Sequence, residues 1–175
     1  MNRELISASF MLGICLVMVS LITIVNSTLV NWGLFLYLPG MLFLTTSLIF
    51  DSSKAFIICL ITGLFLDEIL ETPFGFHGVA LPALQIISKE WLKYNGNNNS
   101  FRYVCFQLIS NILLTIVLFL VFKLQNQQII NWTLSRFATD LILSTIILIQ
   151  LCFWFHDLTT KFFKVDEEQD LIIEQ

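Results

Sequence analysis

The chain has 175 residues, of which 57% are hydrophobic and only 13% are charged, and its formal net charge is −4. Average soluble proteins contain roughly 45–50% apolar and about 25% charged residues, and the mean hydropathy of +0.82 departs in the same direction. A water-soluble fold could not bury this much apolar surface, so we expect much of the chain to lie in lipid. No basic patch or Lys/Arg stripe interleaved with aromatic residues is present, which argues against nucleic acid as a partner.

The first apolar run predicts one uninterrupted spanning helix, whereas the second run contains a helix-breaking pair of residues. Residues 5–25 match the length of about 20 residues that crosses the hydrocarbon core. That run is too long for a signal-peptide core and no cleavage site follows it, so we expect a retained helix. The second run, residues 32–50, contains Pro39 and Gly40. Either its helix begins near Trp32 and kinks at Pro39, or residues 32–38 form a separate piece in the outer interface.

The remaining runs complete the predicted architecture. Residues 55–70 and 76–91 are joined by a Pro- and Gly-containing turn, which predicts a tight helical hairpin. After a hydrophilic loop at residues 94–100, the fifth and sixth runs cover residues 103–122 and 137–155. The predicted fold is therefore all-α: a polytopic membrane protein with six transmembrane helices. It forms a single domain over residues 1–165, and an acidic cytoplasmic tail occupies residues 166–175.

Basic residues predict the orientation, because cytoplasmic loops of membrane proteins are enriched in Lys and Arg. With the N-terminus inside and six spans, the cytoplasmic side holds Arg3, Lys54, Lys89, Lys93, Arg102, Lys161 and Lys164. The outer side holds only Lys123 and Arg136. An odd number of spans would place the tail lysines outside. We therefore expect both termini in the cytoplasm, and the four Trp residues all fall near span ends, as an aromatic belt requires.

Two carboxylates within the spans are candidate functional groups, because ionisable residues are costly in lipid. Asp67 ends the third run near His77. It either reaches interfacial water or pins the hairpin by accepting hydrogen bonds from backbone N–H groups. Asp140 lies one turn after Arg136, which predicts an ion pair near the outer surface. An intramembrane aspartyl protease would need two carboxylates sharing a site, and no flanking protease motif supports that chemistry.

A polar stripe on the fifth run is the third candidate feature. Gln107, Asn111 and Thr115 recur at spacings of four residues, which predicts hydrogen bonding to neighbouring helices of this chain or of a partner subunit. A substrate cavity is the alternative. Gly63, Gly75 and Gly78 would let helices approach closely around the hairpin. We expect the four cysteines to be buried apolar residues, and no motif predicts nucleophilic catalysis, a metal or another cofactor.

The hairpin carries a resemblance to a known family. Its sequence from Thr62 contains Gly63, then Asp67, then the Gly75 turn and Gly78, and Pro39 stands ahead of it. This pattern resembles MreD, the rod shape-determining membrane protein of bacteria, over about 55 residues from Pro39 to Lys93. An acidic residue at Glu68 departs from the family, which often has an apolar residue there.

The resemblance implies a non-enzymatic scaffold in the bacterial cytoplasmic membrane. Its partners would be an MreC-like bitopic protein and, indirectly, an MreB-like actin homologue and the peptidoglycan polymerase and transpeptidase. Its helix arrangement would be similar to the substrate-binding subunits of energy-coupling-factor vitamin transporters. The residues expected to have a structural or partner-binding role are those of the hairpin and the stripe: Gly63, Asp67, Gly75, Gly78, Gln107 and Asn111. The alternative function is a vitamin-like solute-binding subunit, for which Asp67, His77 and Asp140 would line a cavity open to the outside.

Overall fold

The computed structural model describes residues 2–94, 100–124 and 133–173, and these parts of the chain form six α-helices and no β-strand. The helices are α1 (Asn2–Leu29), α2 (Gly40–Ile49), α3 (Ser52–Ile69), α4 (Phe76–Tyr94), α5 (Ser100–Leu124) and α6 (Leu134–Ile173). A short 3-10 helix, Val30–Trp32, extends α1. The prediction of an all-α fold is therefore confirmed.

The distribution of side chains indicates a membrane protein. Three helical stretches are long and apolar enough to cross a bilayer: Leu5–Trp32, Val104–Leu124 and Leu134–Phe155. Among the described residues, thirty large hydrophobic side chains are exposed, whereas sixteen polar or charged side chains are buried. Water would favour the opposite arrangement, because exposed apolar surface is costly there. A protein dissolved in lipid gains by turning its polar groups inward.

The second apolar run is the main departure from the predicted helices. The chain turns at Gly33, which has a φ of 72°, and residues 33–39 then run without helix until α2 begins at Gly40. We call residues 33–39 the central segment. A continuous helix kinked at Pro39 was one alternative, and it is wrong. The separate piece is present, and its residues 35–39 are buried among the helices.

The other helices begin or end a few residues outside the predicted limits, except at the C-terminus. There α6 does not stop near Phe155 but continues to Ile173, so most of the predicted acidic tail has a helical backbone. Most of the hydrophilic loop at residues 94–100, and Trp132 of the predicted aromatic belt, lie outside the described residues. Trp32 and Trp91 are exposed near helix ends, whereas Trp154 is exposed in the middle of α6.

The helices pack in two groups around a centre. In the first group α3 lies along both α4 and α1, and in the second group α5 lies along α6. The centre is α2, which touches α3, α4, α5 and α6. The central segment divides the interior: Leu36 and Leu38 join one apolar cluster, and Phe35 and Tyr37 join the other. This alternation is the two-residue period of an extended chain.

Candidate functional site: a buried polar network

Asp67 joins the end of α3 to the start of α4. Its carboxylate accepts hydrogen bonds from the backbone N–H groups of His77 at 2.8 Å and Gly78 at 3.1 Å, and from the hydroxyl of Thr72 at 2.6 Å. The first N–H groups of a helix have no partner within the helix, and they attract negative charge. Asp67 supplies that charge although only 2% of its surface is exposed. This arrangement corresponds to the pinned hairpin, not to a helix end in interfacial water.

The glycines of the hairpin permit the close approach of α3 and α4. A Cβ atom at Gly63 would lie 2.6 Å from the carbonyl carbon of His77 and 2.8 Å from the backbone nitrogen of Gly78. A Cβ atom at Gly78 would meet the flexible end of Leu64 at 2.7 Å. Gly75 has a φ of 87°, which favours glycine. The backbone of α3 therefore touches the backbone of α4, and Gly63 is the residue that makes this contact possible.

The hairpin turn itself contains one strained residue. Helix α3 ends with the N–H of Leu70 bonded to Leu66 and the N–H of Thr72 bonded to the carbonyl of Asp67. This pattern places Glu71 at the position after the helix cap that glycine usually occupies. Glu71 has a φ of 50° and is exposed, as is Glu68. The two glutamates therefore lie outside the network, and the buried carboxylate of the Asp-Glu pair is Asp67.

His77 extends the network from the hairpin to the central segment. Its Nδ1 atom lies 2.7 Å from the Asp67 carboxylate, and its Nε2 atom lies 2.6 Å from the Tyr37 hydroxyl. The imidazole is fully buried. Because the carboxylate can only accept at Nδ1, that nitrogen carries a hydrogen, and the orientation of the ring is held at both ends. Asp67, His77 and Tyr37 form a continuous chain of hydrogen bonds through the interior.

The backbone of the central segment is bonded by side chains from both sides. The N–H and C=O groups of Leu36 pair with the side-chain amide of Asn26 on α1, at 2.7 and 2.8 Å. The N–H groups of Phe35 and Tyr37 point the other way, to Asp140 at 2.9 Å and Ser144 at 3.0 Å on α6. Alternate residues of an extended chain present their backbone groups to opposite edges. The side chains thus take the places of neighbouring strands.

Asn111 is the member of the α5 stripe that closes this arrangement. Its side chain accepts from the N–H of Gly40 at 3.0 Å and donates to the carbonyl of Tyr37 at 3.0 Å, so it caps α2 and holds the end of the segment. A Cβ atom at Gly40 would lie 2.8 Å from the Cβ of Asn111. Thr115 bonds the carbonyl of Asn111 on its own helix, and Gln107 is buried. For Asn111, the adhesion predicted from the stripe is therefore to this chain.

Asp140 differs from its predicted role. It is 2% exposed, and its principal partner is the backbone of Phe35. The predicted pair with Arg136 is present at 3.9 Å, the outer limit for an ion pair. The expected pair is therefore present at the limit of an ion pair, and the bond of Asp140 to the central segment adds a role that was not predicted. The spacing of four residues from Arg136 to Asp140 was visible in the sequence, but the need of the central segment for an acceptor was not.

Four side chains of the network were not predicted. Asn26 follows the first apolar run, Tyr37 and Ser144 lie within apolar runs, and Thr72 lies in the turn of the hairpin. The Pro-Gly interruption at residues 39–40 signals that a non-helical stretch needs hydrogen-bond partners, but it does not show which side chains supply them. A non-helical stretch at membrane depth leaves backbone groups unpaired, and these require polar side chains from neighbouring elements.

The other end of α2 is also held by polar groups. The Ser47 hydroxyl lies 2.9 Å from that of Ser88 and 3.3 Å from the carbonyl of Gln85 on α4. The ammonium of Lys89 donates to the carbonyl of Phe50 at 2.7 Å, just beyond the last residue of α2. Helix α2 is therefore capped at both ends by side chains of its neighbours.

The network can position helices, but it offers little room for a substrate. A cavity beside the central segment, lined in part by Asn26, Tyr37 and Leu66, has a volume of about 20 Å³. That volume suits a single water molecule, whereas small-molecule sites usually measure roughly 300–1,000 Å³. Within the described ranges no group of three or more His, Cys, Asp or Glu side chains is placed to hold a metal ion.

No protein-family model, curated protein or solved structure matches the chain. The class of protein to which the chain belongs is therefore defined by its own structure. Its described residues form an all-helical protein with helices suited to a bilayer and a buried hydrogen-bond network that joins all six described helices through one non-helical segment.

Proposed function

We propose that this chain is a non-enzymatic scaffold subunit of the bacterial cell-elongation complex, as its resemblance to MreD implies. The observation that carries the proposal is how the buried polar groups are used. Asp67, Asn26, Asn111 and Asp140 all bond the backbone of this same chain. Groups committed in this way make the bundle rigid, and they leave its apolar outer surface as the part available to partners in the bilayer.

The proposed topology has six crossings and both termini in the cytoplasm. Helix α2 has 10 residues, or about 15 Å, and the seven residues of the central segment add up to about 23 Å if fully extended. Together they are long enough for the hydrocarbon core of about 30 Å. Helices α3 and α4, with 18 and 19 residues, reach about 27 and 28 Å. The seven-to-two distribution of basic residues sets the orientation.

In this proposal the hairpin residues Gly63, Asp67, Gly75 and Gly78 hold the outer ends of α3 and α4 in one geometry. Asn111 fastens α5 to the central segment, and Gln107 lies one turn away on the same helix. The partner is an MreC-like bitopic membrane protein, through which an MreB-like filament and the peptidoglycan polymerase and transpeptidase are reached. Helix-to-helix contacts within the membrane supply the binding, because α1 and α5 expose many large apolar side chains.

The alternative, a vitamin-like solute-binding subunit arranged as in energy-coupling-factor transporters, has one observation in its favour. Transporters often bind substrate where a spanning helix is interrupted near the bilayer midplane, and the central segment is such an interruption. The position a ligand would take at the start of α2 is filled by the Asn111 side chain, however, and the adjacent cavity measures about 20 Å³. This geometry favours the scaffold over the transporter.

Depletion with complementation tests the proposal. Cells depleted of the protein are expected to become round, and the wild-type chain is expected to restore rods and to co-purify with the MreC-like protein. The Asp67→Asn variant should fail to restore shape, whereas the matched Glu68→Gln variant, on the neighbouring exposed residue, should succeed at equal membrane abundance. Unchanged cell shape on depletion, together with lost uptake of one vitamin, would reject the scaffold in favour of the transport subunit.

A further inference from the structure

Two basic residues lie at the same end of the α5–α6 pair. Lys123 is in the last turn of α5, and Arg136 is in the first turn of α6. The two helices meet there through Phe119 and Phe137, whose ring centroids are 4.5 Å apart, and each basic residue is within one helical turn of this contact. The ammonium of Lys123 lies over the Phe119 ring, 5.9 Å from its centroid. This corner of the bundle therefore carries two positive charges.

The acidic groups of the chain compensate these charges only in part. The ion pair of Arg136 with Asp140 is 3.9 Å long, and the other oxygen of that carboxylate accepts the N–H of Phe35. Within the described ranges, the buried Nε atom of Arg136 has no hydrogen-bond partner, and Lys123 forms no ion pair. A buried guanidinium nitrogen without an acceptor is costly. The corner is therefore suited to receive an anion from outside the chain.

An exposed apolar strip continues from this corner along α5. Leu120, Val117 and Leu113 precede Lys123 at spacings of three or four residues, so they share one side of the helix, and all three are exposed. In a bilayer such a strip contacts acyl chains. Positive charge at the helix end, followed by an apolar strip, matches the polarity of an anionic phospholipid, whose charged phosphate carries apolar chains. A free phosphate ion would contact only the basic residues and leave the strip unused.

We propose that an anionic phospholipid binds at this end of the α5–α6 pair, with its phosphate held by Lys123 and Arg136 and an acyl chain along Leu120 and Val117. A guanidinium suits a phosphate because it presents several donors in one plane, and an ammonium adds a point charge. The lipid binds to the outside of a rigid bundle and requires no movement of its helices. The site does not depend on the scaffold function proposed above, nor on which side of the membrane this end faces, because both faces of a bilayer present phosphates.

Native mass spectrometry of the full chain, purified in detergent and titrated with lipid, tests the site. The probes are phosphatidylglycerol, phosphatidylcholine with the same acyl chains, and inorganic phosphate. We expect phosphatidylglycerol to bind more tightly than either of the others. Lys123→Gln should weaken its binding about fivefold, the contribution of one basic residue at an anionic membrane surface, and should leave phosphatidylcholine binding unchanged. Lys123→Arg should retain the affinity, because it keeps the charge.

The matched control is Arg102→Gln, which removes the same charge from an exposed residue at the opposite end of α5. It should leave the affinity for phosphatidylglycerol unchanged. Lys123 is itself exposed, so its substitution should not disturb the fold. Equal affinities for the two lipids, an unchanged affinity in Lys123→Gln, or an equal loss in Arg102→Gln would overturn the site. Inorganic phosphate that bound as tightly as phosphatidylglycerol would also overturn it, because the basic residues would then bind a free ion and not a lipid.

Discussion

The α3–α4 hairpin and the central segment both bury backbone groups that lack helical partners, and they satisfy them in opposite ways. At the hairpin one carboxylate, Asp67, serves the backbone N–H groups of His77 and Gly78. At the central segment several side chains from three helices serve one stretch of backbone. The hydrogen bonding of the hairpin therefore depends on a single side chain, whereas that of the central segment is distributed over several. Substitutions at the two sites should consequently differ in severity.

The largest effect is expected at Gly63. In Gly63→Ala the new methyl group collides with the backbone of His77, which cannot move without shifting α4. We expect a loss of about 3 kcal/mol in the free energy of unfolding, at the upper end for overpacking. Thermal unfolding in detergent measures it. Gly13→Ala is the matched control, because nothing lies within 4 Å of the added Cβ. Equal melting temperatures for both variants would mean that α3 and α4 do not approach as described.

Asp67→Asn comes second. The amide keeps the size of the side chain, but it offers one acceptor oxygen and turns an NH₂ group toward groups that donate. Because bonds to charged groups are the stronger ones, we expect destabilisation by about 2–3 kcal/mol. The same unfolding assay applies, with Glu68→Gln as the control on an exposed neighbour. A larger destabilisation by Glu68→Gln than by Asp67→Asn would show that the stability of the hairpin depends on the exposed glutamate and not on Asp67.

Asn111→Leu should be milder, although it leaves the N–H of Gly40 and the carbonyl of Tyr37 without their partner. The expected loss is about 1–2 kcal/mol, because Asn26, Asp140 and Ser144 continue to hold the segment. Thr115→Val, one turn away, removes a hydroxyl that bonds only its own helix and should change stability by less than about 0.5 kcal/mol. A loss for Asn111→Leu exceeding that for Asp67→Asn would reverse the proposed order of the two sites.

The smallest effect is a gain. Glu71 occupies a left-handed backbone conformation with a φ of 50° and is exposed. Glycine adopts this conformation without the steric cost, so Glu71→Gly should raise the free energy of unfolding by about 0.5–1 kcal/mol. The reverse change at the other end of the turn, Gly75→Ala, should lower it, since Gly75 has a φ of 87°. Destabilisation by Glu71→Gly would show that the Glu71 side chain contributes more to stability than its left-handed backbone conformation costs.

The helical class and most helix positions followed from the sequence, because runs of apolar residues and a Pro-Gly turn are local signals. The bonding of Asp67 to the start of the next helix was one of two alternatives open from the sequence, for the same reason: it lies ten residues from His77, across a turn that the sequence marks. The bonds of Asn111 and Asp140 were not predictable, since their partners are 71 and 105 residues away along the chain. Periodicity shows that a face is polar, but not which backbone it will meet.

What the sequence determined by itself is a chain too apolar for water, divided into helical runs with one interruption at Pro39-Gly40. The tertiary structure decided where that interruption goes. A segment that cannot form a helix must find hydrogen-bond partners outside itself, and in an apolar medium these have to come from other helices. The segment finds these partners only when α1, α5 and α6 pack around it, which brings in Asn26, Asn111, Asp140 and Ser144. The centre of the molecule therefore could not be deduced from any local sequence pattern.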